Sequence, residues 1–223
     1  MEINIKRHEL WTESMFEIHL PDIDNESIIK FYDEIEKVDP GQKRSNIGGW
    51  QREVNPGECQ AYDELMYMMA YAVTDIFRNV FKLPIDLAIA NSWLNSNILG
   101  ENNAFHTHPG CVYSGVYYIN ASKDKENGSI TFVNPQHHVI EDWISNLPLR
   151  SNGDIDHKQC EVLHEDKQFA STQHFEPKSN YAYVFPPWTG HEVRKNPHSF
   201  NRLVAGINFR PANQPLPELK DRV

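Results

Sequence analysis

Cysteine is scarce in this 223-residue chain: Cys59, Cys111 and Cys160 are odd in number and widely spaced. That excludes a disulfide framework as well as zinc-knuckle and CxxC redox motifs, and it fits reduced thiols in a reducing compartment. Long apolar runs are missing too. No stretch approaches the ~18 consecutive apolar residues of a membrane span, and the opening MEINIKRHELW lacks the apolar segment of a secretory signal. A cytoplasmic protein with no membrane partner is expected. Positive charge is the third deficit. Against 31 Asp and Glu stand only 21 Lys and Arg, a net charge of -10, so duplex DNA would meet a repulsive field and no nucleic-acid partner is expected. Repeats, low-complexity tracts and Gly/Ser linkers are absent as well, which favours one domain over residues 1–223.

What is present is an ordinary globular mixture, 39% apolar and 11% aromatic, too rich in large side chains for a disordered chain. Residues 1–84 read as helical support. After an extended opening around Met15 to Leu20, the stretch Asn25 to Val38 places Ile28, Ile29, Tyr32, Ile35 and Val38 at helical spacing behind an Asp24 or Asn25 cap. A second, longer helix is predicted from Cys59 to Phe81, its stripe including Leu65, Met69, Val73 and Ile76 and ending before Pro84. Met66, Met68 and Met69 read as core or interface, and a homodimer through this helix is an expectation.

Beyond Ile85 the helical period vanishes. Short runs rich in Val, Ile, Tyr, Phe and Trp predict strands at Asp86 to Asn95, Cys111 to Asn120, Ser129 to Val133, Tyr181 to Phe185, Glu192 to Arg194 and Arg202 to Phe209. Helices followed by short antiparallel strands predict an α+β domain with a barrel or sandwich core over residues 85–210. The polar, turn-rich residues 136–180 read as an insertion or lid, and His137, His138, His157, His164 and His174 within it as solvated histidines.

Two histidines, His106 and His108, precede the strongest strand. Residues i and i+2 of an extended segment point to one side, so the pair could share a metal ion. Alone, a His-x-His pair in a chain with eleven histidines carries little weight. The weight comes from Phe185-Pro186-Pro187-Trp188-Thr189-Gly190-His191, a lone histidine at the mouth of a strand, and from Arg202, eleven residues later, entering an apolar strand.

In order, the chain carries Gly48-Gly49-Trp50-Gln51, His106-Thr107-His108-Pro109, Ser114-Gly115-Val116-Tyr117-Tyr118 and Phe185-Pro186. This series, running from about residue 45 to residue 210, resembles the uncharacterised 2OG-Fe(II) oxygenase family of 2-oxoglutarate-dependent dioxygenases, with a likeness to its prolyl-hydroxylase branch. The resemblance implies a double-stranded β-helix (jelly-roll) with the N-terminal helices packed outside. It implies Fe(II) and 2-oxoglutarate as cofactors, and hydroxylation of a C–H bond with release of succinate and CO2. By the same resemblance His106, His108 and His191 hold the metal, while Arg202 and Tyr118 meet the far carboxylate of 2-oxoglutarate. Asn95, on one strand face with Asn91 and Trp93, is a candidate for a polar contact in that pocket. An Arg suits the carboxylate because its planar fork keeps its proton.

One departure is plain: where the superfamily has Asp or Glu two residues after the first histidine, this chain has His108. Three arrangements are open. A three-His facial site is the first, a halogenase-like frame with Gly110 at the carboxylate position is the second, and a carboxylate borrowed from Glu101 is the third. Function has alternatives as well. A non-catalytic binding jelly-roll, or a zinc enzyme built on three histidines, would share the fold. The substrate, whether a small molecule or a protein side chain, is not legible.

Overall fold

The computed structural model describes residues 6, 12–121, 128–146, 150–151, 154–155 and 169–213. Strand β1 (Phe16–His19) leads into helix α1 (Asn25–Ile35), then β2 (Asn46–Ile47), β3 (Trp50–Glu53) and helix α2 (Gln60–Asp75). The remaining strands are β4 (Leu87–Asn97), β5 (Asn102–His106), β6 (Tyr113–Asn120), β7 (Ile130–Val133), β8 (Arg150–Ser151), β9 (Asp154–Ile155), β10 (Thr172–Phe175), β11 (Tyr181–Phe185), β12 (His191–Val193) and β13 (Arg202–Pro211), with helix α3 (His137–Asn146) after β7.

Two antiparallel sheets face each other. One runs β1-β11-β6-β13-β4-β3 and the other β10-β7-β12-β5-β2, while β8 and β9 form a separate ribbon. Apart from β3 and β4, neighbours within the two sheets are not consecutive, so the chain crosses repeatedly between the sheets, the winding of a double-stranded β-helix.

Period-two alternation gives each strand of the larger sheet two different faces. Along β13, Leu203, Ala205, Ile207 and Phe209 point outward to join Leu65, Met69, Val73, Ile28 and Tyr32 in the principal core between sheet and helices. The inward set is Arg202, Val204, Gly206 and Asn208. Inside the barrel a second, smaller cluster gathers Tyr118, Ile130, Phe132, Tyr183, Phe185 and Val204. The protein therefore has two cores separated by one sheet, and the inner one is left small enough to hold a cavity.

Helix α1 begins and helix α2 ends for local reasons. The Asp24 carboxylate accepts from the Ser27 N–H at 3.0 Å, satisfying one of the orphan donors of α1. Helix α2 widens into one π-turn over Ile76–Val80 and stops where Lys82 adopts a left-handed conformation with φ 59°. Helix α1 is thus shorter than its apolar spacing predicts, and α2 gives way to the wider turn before Phe81.

Two expectations need correction. Residues 1–84 are more than helical support, because β1 extends one edge of the larger sheet and β3 forms the other, while β2 joins the smaller sheet. Gly48 and Gly49 are where the chain steps from one sheet to the other; Gly48 sits at φ +86°, and a Cβ at Gly49 would press on Asn97 and the Ser96 carbonyl. Residues 136–180 do not form a separate lid throughout either. Strand β10 pairs with β7 in full register from Thr172↔Val133 to Phe175↔Ile130, so the end of that stretch is barrel wall. His174 therefore lies on a strand, its Nδ1 2.9 Å from the Thr131 hydroxyl. His157 and His164 lie outside the described residues.

Candidate metal centre

Strand pairing brings together histidines from distant parts of the chain. His191 opens β12 directly opposite His106, which closes β5. His108, two residues beyond the end of β5, is pinned by its own N–H donating to the Pro187 carbonyl at 2.9 Å. The turn that precedes His191 thus also fixes the histidine on the other side. Ring centroids lie 4.4 Å apart for His106 and His191, 5.0 Å for His106 and His108, and 5.1 Å for His108 and His191. One nitrogen from each ring falls within 4.8 Å of the other two, a group of metal-ligand geometry among the described residues.

The hydrogen bonds of the rings set their tautomers. His106 Nδ1 lies 2.7 Å from the Ala104 carbonyl, and His191 Nδ1 lies 3.0 Å from the Thr189 carbonyl. A carbonyl only accepts, so Nδ1 carries the proton in both rings and Nε2 turns a lone pair inward. His108 Nε2 stands 3.3 Å from His191 Nε2. Two nitrogen atoms that close need a proton or a cation between them. Protonation of the rings is opposed by their surroundings. Burial, joined by the neighbouring imidazoles, lowers His108 to about 4 and His191 to about 3, and burial lowers His106 as well. Neutral imidazoles converging on one point fit a bound metal ion, which is the arrangement that relieves all three lone pairs.

The rings open onto a cavity of ≈ 60 Å³ between the sheets. Trp93 and Phe185 wall it near the metal-ligand group, with Trp93 stacked at 16° to His108. Farther in, Val116, Val204, Asn95 and Asn103 line it, and among the described residues no acidic side chain does, which suits an anionic occupant. Asn95 carries the polar face. Its Nδ2 donates to Asn103 Oδ1 at 2.9 Å and to Asn97 Oδ1 at 3.3 Å, while its buried Oδ1 has no protein partner.

Arg202 and Tyr118 stand on the same inward faces as Val204 and Val116, one step deeper, and each is only 1% exposed. Neither lines the cavity directly. The Arg202 guanidinium donates from Nη1 to the Gly128 carbonyl at 2.6 Å and from Nη2 to Asn97 Oδ1 at 2.9 Å. Asn97 passes this contact to Asn95 and so to the cavity wall. Burial lowers the Arg202 pKa while Tyr118 beside it acts the other way, and the same burial raises Tyr118.

The three arrangements left open by His108 now separate. His106 points into the same group as His108 and His191, so the frame that starts at His108 and leaves His106 idle does not describe this site. Glu101 is elsewhere: its carboxylate accepts from the Ile98 N–H at 2.8 Å in the turn between β4 and β5. Residues not singled out from the sequence are Asn97, Asn103 and Asn208. Asparagine reads as a turn former, and only its parity with Arg202 along β13 and with Asn95 along β4 could have flagged it.

Comparison with known proteins agrees with this construction. Residues 91–208, more than half of the chain, match the model of a family described as "Putative 2OG-Fe(II) oxygenase". No curated protein matches the sequence. Among solved structures, a Pseudomonas putida prolyl-4-hydroxylase is similar with a TM-score of 0.57 and 15% identity, covering 91% of this chain and 95% of that one. HygX from Streptomyces hygroscopicus, with nickel and 2-oxoglutarate bound, gives a TM-score of 0.56 at 14% identity over 91% of this chain and 84% of its own. A viral collagen prolyl hydroxylase from Paramecium Bursaria Chlorella virus-1, in a 2-oxoglutarate complex, gives 0.52 at 16% identity over 89% and 96%. At such identities these likenesses establish the shared double-stranded β-helix. Taken with the family match, they mean that this chain belongs to the 2OG-Fe(II) oxygenase family, enzymes whose cofactors are Fe(II) and 2-oxoglutarate.

Proposed function

We propose that the protein is a hydroxylase in which His106, His108 and His191 would hold Fe(II) and 2-oxoglutarate would bind beside it. The observation that carries this reading is the convergence of three imidazoles, two of which have Nδ1 already engaged by a backbone carbonyl. Bound together, Fe(II) and 2-oxoglutarate supply oxygen activation, with one oxygen atom entering a substrate C–H bond and the other leaving in succinate as CO2 is released. The prolyl hydroxylases among the structural neighbours support hydroxylation as the outcome.

The chain's own residues do the rest. Arg202 and Tyr118 provide the cation and the hydroxyl for the far carboxylate at the deep end of the barrel, and Asn95 offers its amide on the way there. A fixed cation in a low-dielectric interior favours an anion far more than it would in water. Replacing the usual carboxylate with His108 leaves the metal with one more unit of positive charge, which tightens its hold on an anionic cosubstrate. Trp93, Phe185 and Phe132 keep bulk water from the metal-facing end. The substrate is a small molecule or a protein side chain.

The test is an anaerobic titration of metal-free protein with Fe(II) and then 2-oxoglutarate, following the visible charge-transfer band of a chelated 2-oxo acid. The band is expected in the wild type, absent in His191→Ala, and shifted to higher 2-oxoglutarate concentration in Tyr118→Phe and Arg202→Lys. Fe(II) binding without any band would overturn the cosubstrate role. Succinate formed in the presence of oxygen then provides the assay for substrates.

A further inference from the structure

The partners of a buried cation decide how well it can receive a further anion. Arg202 and Asn97 are directly opposed where β13 pairs with β4, so their side chains stand on one face of the sheet. Both are 1% exposed. The guanidinium is held from two sides. Its Nη1 donates to the Gly128 carbonyl at 2.6 Å and to the Arg194 carbonyl at 3.3 Å, while Nη2 donates to Asn97 Oδ1 at 2.9 Å. An opposite charge is a stabilising cross-strand partner for an Arg. Here an amide takes that place, and it holds the guanidinium without adding a negative charge.

Arg202 also fixes the direction of the amides around it. A guanidinium only donates, so the Asn97 atom that meets it is the oxygen. The same oxygen accepts from Asn95 Nδ2 at 3.3 Å, and this nitrogen donates as well to Asn103 Oδ1 at 2.9 Å. Asn103 Nδ2 in turn donates to Ser45 Oγ at 3.2 Å. Asn103 enters this chain because β5 carries one residue more than β12 between the pairs His191↔His106 and Val193↔Asn103, so that Asn103 and His106 both face the interior. The backbone of Asn97 is anchored separately, its carbonyl accepting from Asn196 Nδ2 at 2.8 Å. One neutral oxygen thus joins the deep cation to the cavity wall that Asn95 and Asn103 line.

We infer that Asn97 is a positioning residue that sets the preference of the site for a 2-oxo acid with a second carboxylate: its amide oxygen fixes the Arg202 fork and, being neutral, does so without opposing an incoming anion. This rests on the reading of Arg202 as the partner of the far carboxylate of 2-oxoglutarate. An aspartate at this position would match the asparagine in shape and keep the bond to Arg202. It would also set a carboxylate against the far carboxylate of the cosubstrate, and only that end of the molecule would feel it.

The experiment loads wild type, Asn97→Asp, Asn97→Leu and Arg202→Met with Ni(II), a redox-inert probe. Each is titrated by calorimetry with 2-oxoglutarate and with 2-oxopentanoate, the same carbon chain without the far carboxylate. Expected for Asn97→Asp is a loss of roughly 10- to 100-fold in 2-oxoglutarate affinity, from the repulsion of two unit charges a few ångströms apart in a protein interior. Asn97→Leu, which keeps the volume without the acceptor, should lose about tenfold. Both variants should bind 2-oxopentanoate and Ni(II) as wild type does, a result that a loss of packing would not give. Arg202→Met should lose the preference for the dicarboxylate altogether. Wild-type preference in the Asn97 variants, with the preference lost in Arg202→Met, would overturn the role of Asn97 and leave Arg202 standing. A preference kept in Arg202→Met would instead sink the reading of Arg202. If Asn97→Asp alone does not fold, Asn97→Leu decides. Equal weakening of both acids, or loss of the fold in both variants, would assign Asn97 to packing and also overturn the inference.

Discussion

At the scale of single residues, the histidines make the metal-free protein sensitive to acid. In the unfolded chain an imidazole titrates near 6.5, whereas His108 and His191 are held down to about 4 and about 3 in the folded one. Between these limits the unfolded state binds more protons, so stability rises with pH across the window and is fully present above about pH 6.5. Denaturant titrations in the presence of a chelator at pH 7.5, 6 and 5 should show the midpoint falling at each step. In His191→Ala the fall should be shallower. Gly206 supplies a second residue-scale prediction. A Cβ there would collide with the Trp93 indole, which stacks on His108. Gly206→Ala is expected to cost about 1–3 kcal/mol by overpacking and to weaken metal binding by displacing Trp93. Calorimetry and a metal titration on the same sample check both halves.

At the scale of elements, the sheet that carries β13 divides stability from chemistry. Met69 and Leu65 are fully buried on the helix side of that sheet, away from the cavity. Met69→Ala should cost about 2–5 kcal/mol yet leave metal affinity per folded molecule unchanged, read by denaturation and by titration at a temperature where the variant is folded. The elements legible in the sequence are those long enough to show their period. Strand β11 falls on the residues expected, and β13 begins at Arg202 as predicted and runs two residues further. Those that escaped are β2 and β3, with two and four residues, and β5, whose Asn102-Asn103-Ala104 start reads as a turn. Strand β10 escaped because Thr-Gln-His-Phe is largely polar, and its strand character comes from pairing with β7 rather than from propensity. The three histidines stood out among eleven through the motif series that resembles the oxygenase family. The asparagines around them did not, since what brings them to the cavity is the parity imposed by tertiary pairing.

For the whole molecule, folding and metal binding are linked, because the histidines converge only when β12 has paired with β5. A ligand at 100 times its dissociation constant stabilises the folded state by about 2.7 kcal/mol, which corresponds to roughly 5–10 °C in Tm for a chain of this size. Thermal scans with and without a divalent metal should show a rise of that order in wild type and none in His191→Ala. The surface carries a net charge of -10, so the rise should persist at higher salt, where any loosely held surface cation would be released.

The pairing of β12 with β5 also dictates an order of events during biosynthesis. His106 and His108 leave the ribosome well before His191, and until β12 arrives the nascent chain offers the metal only two neighbouring imidazoles. With His106, His108 and His191 as the proposed ligands, two imidazoles alone would hold iron weakly, so full loading would be expected only once translation has passed β12.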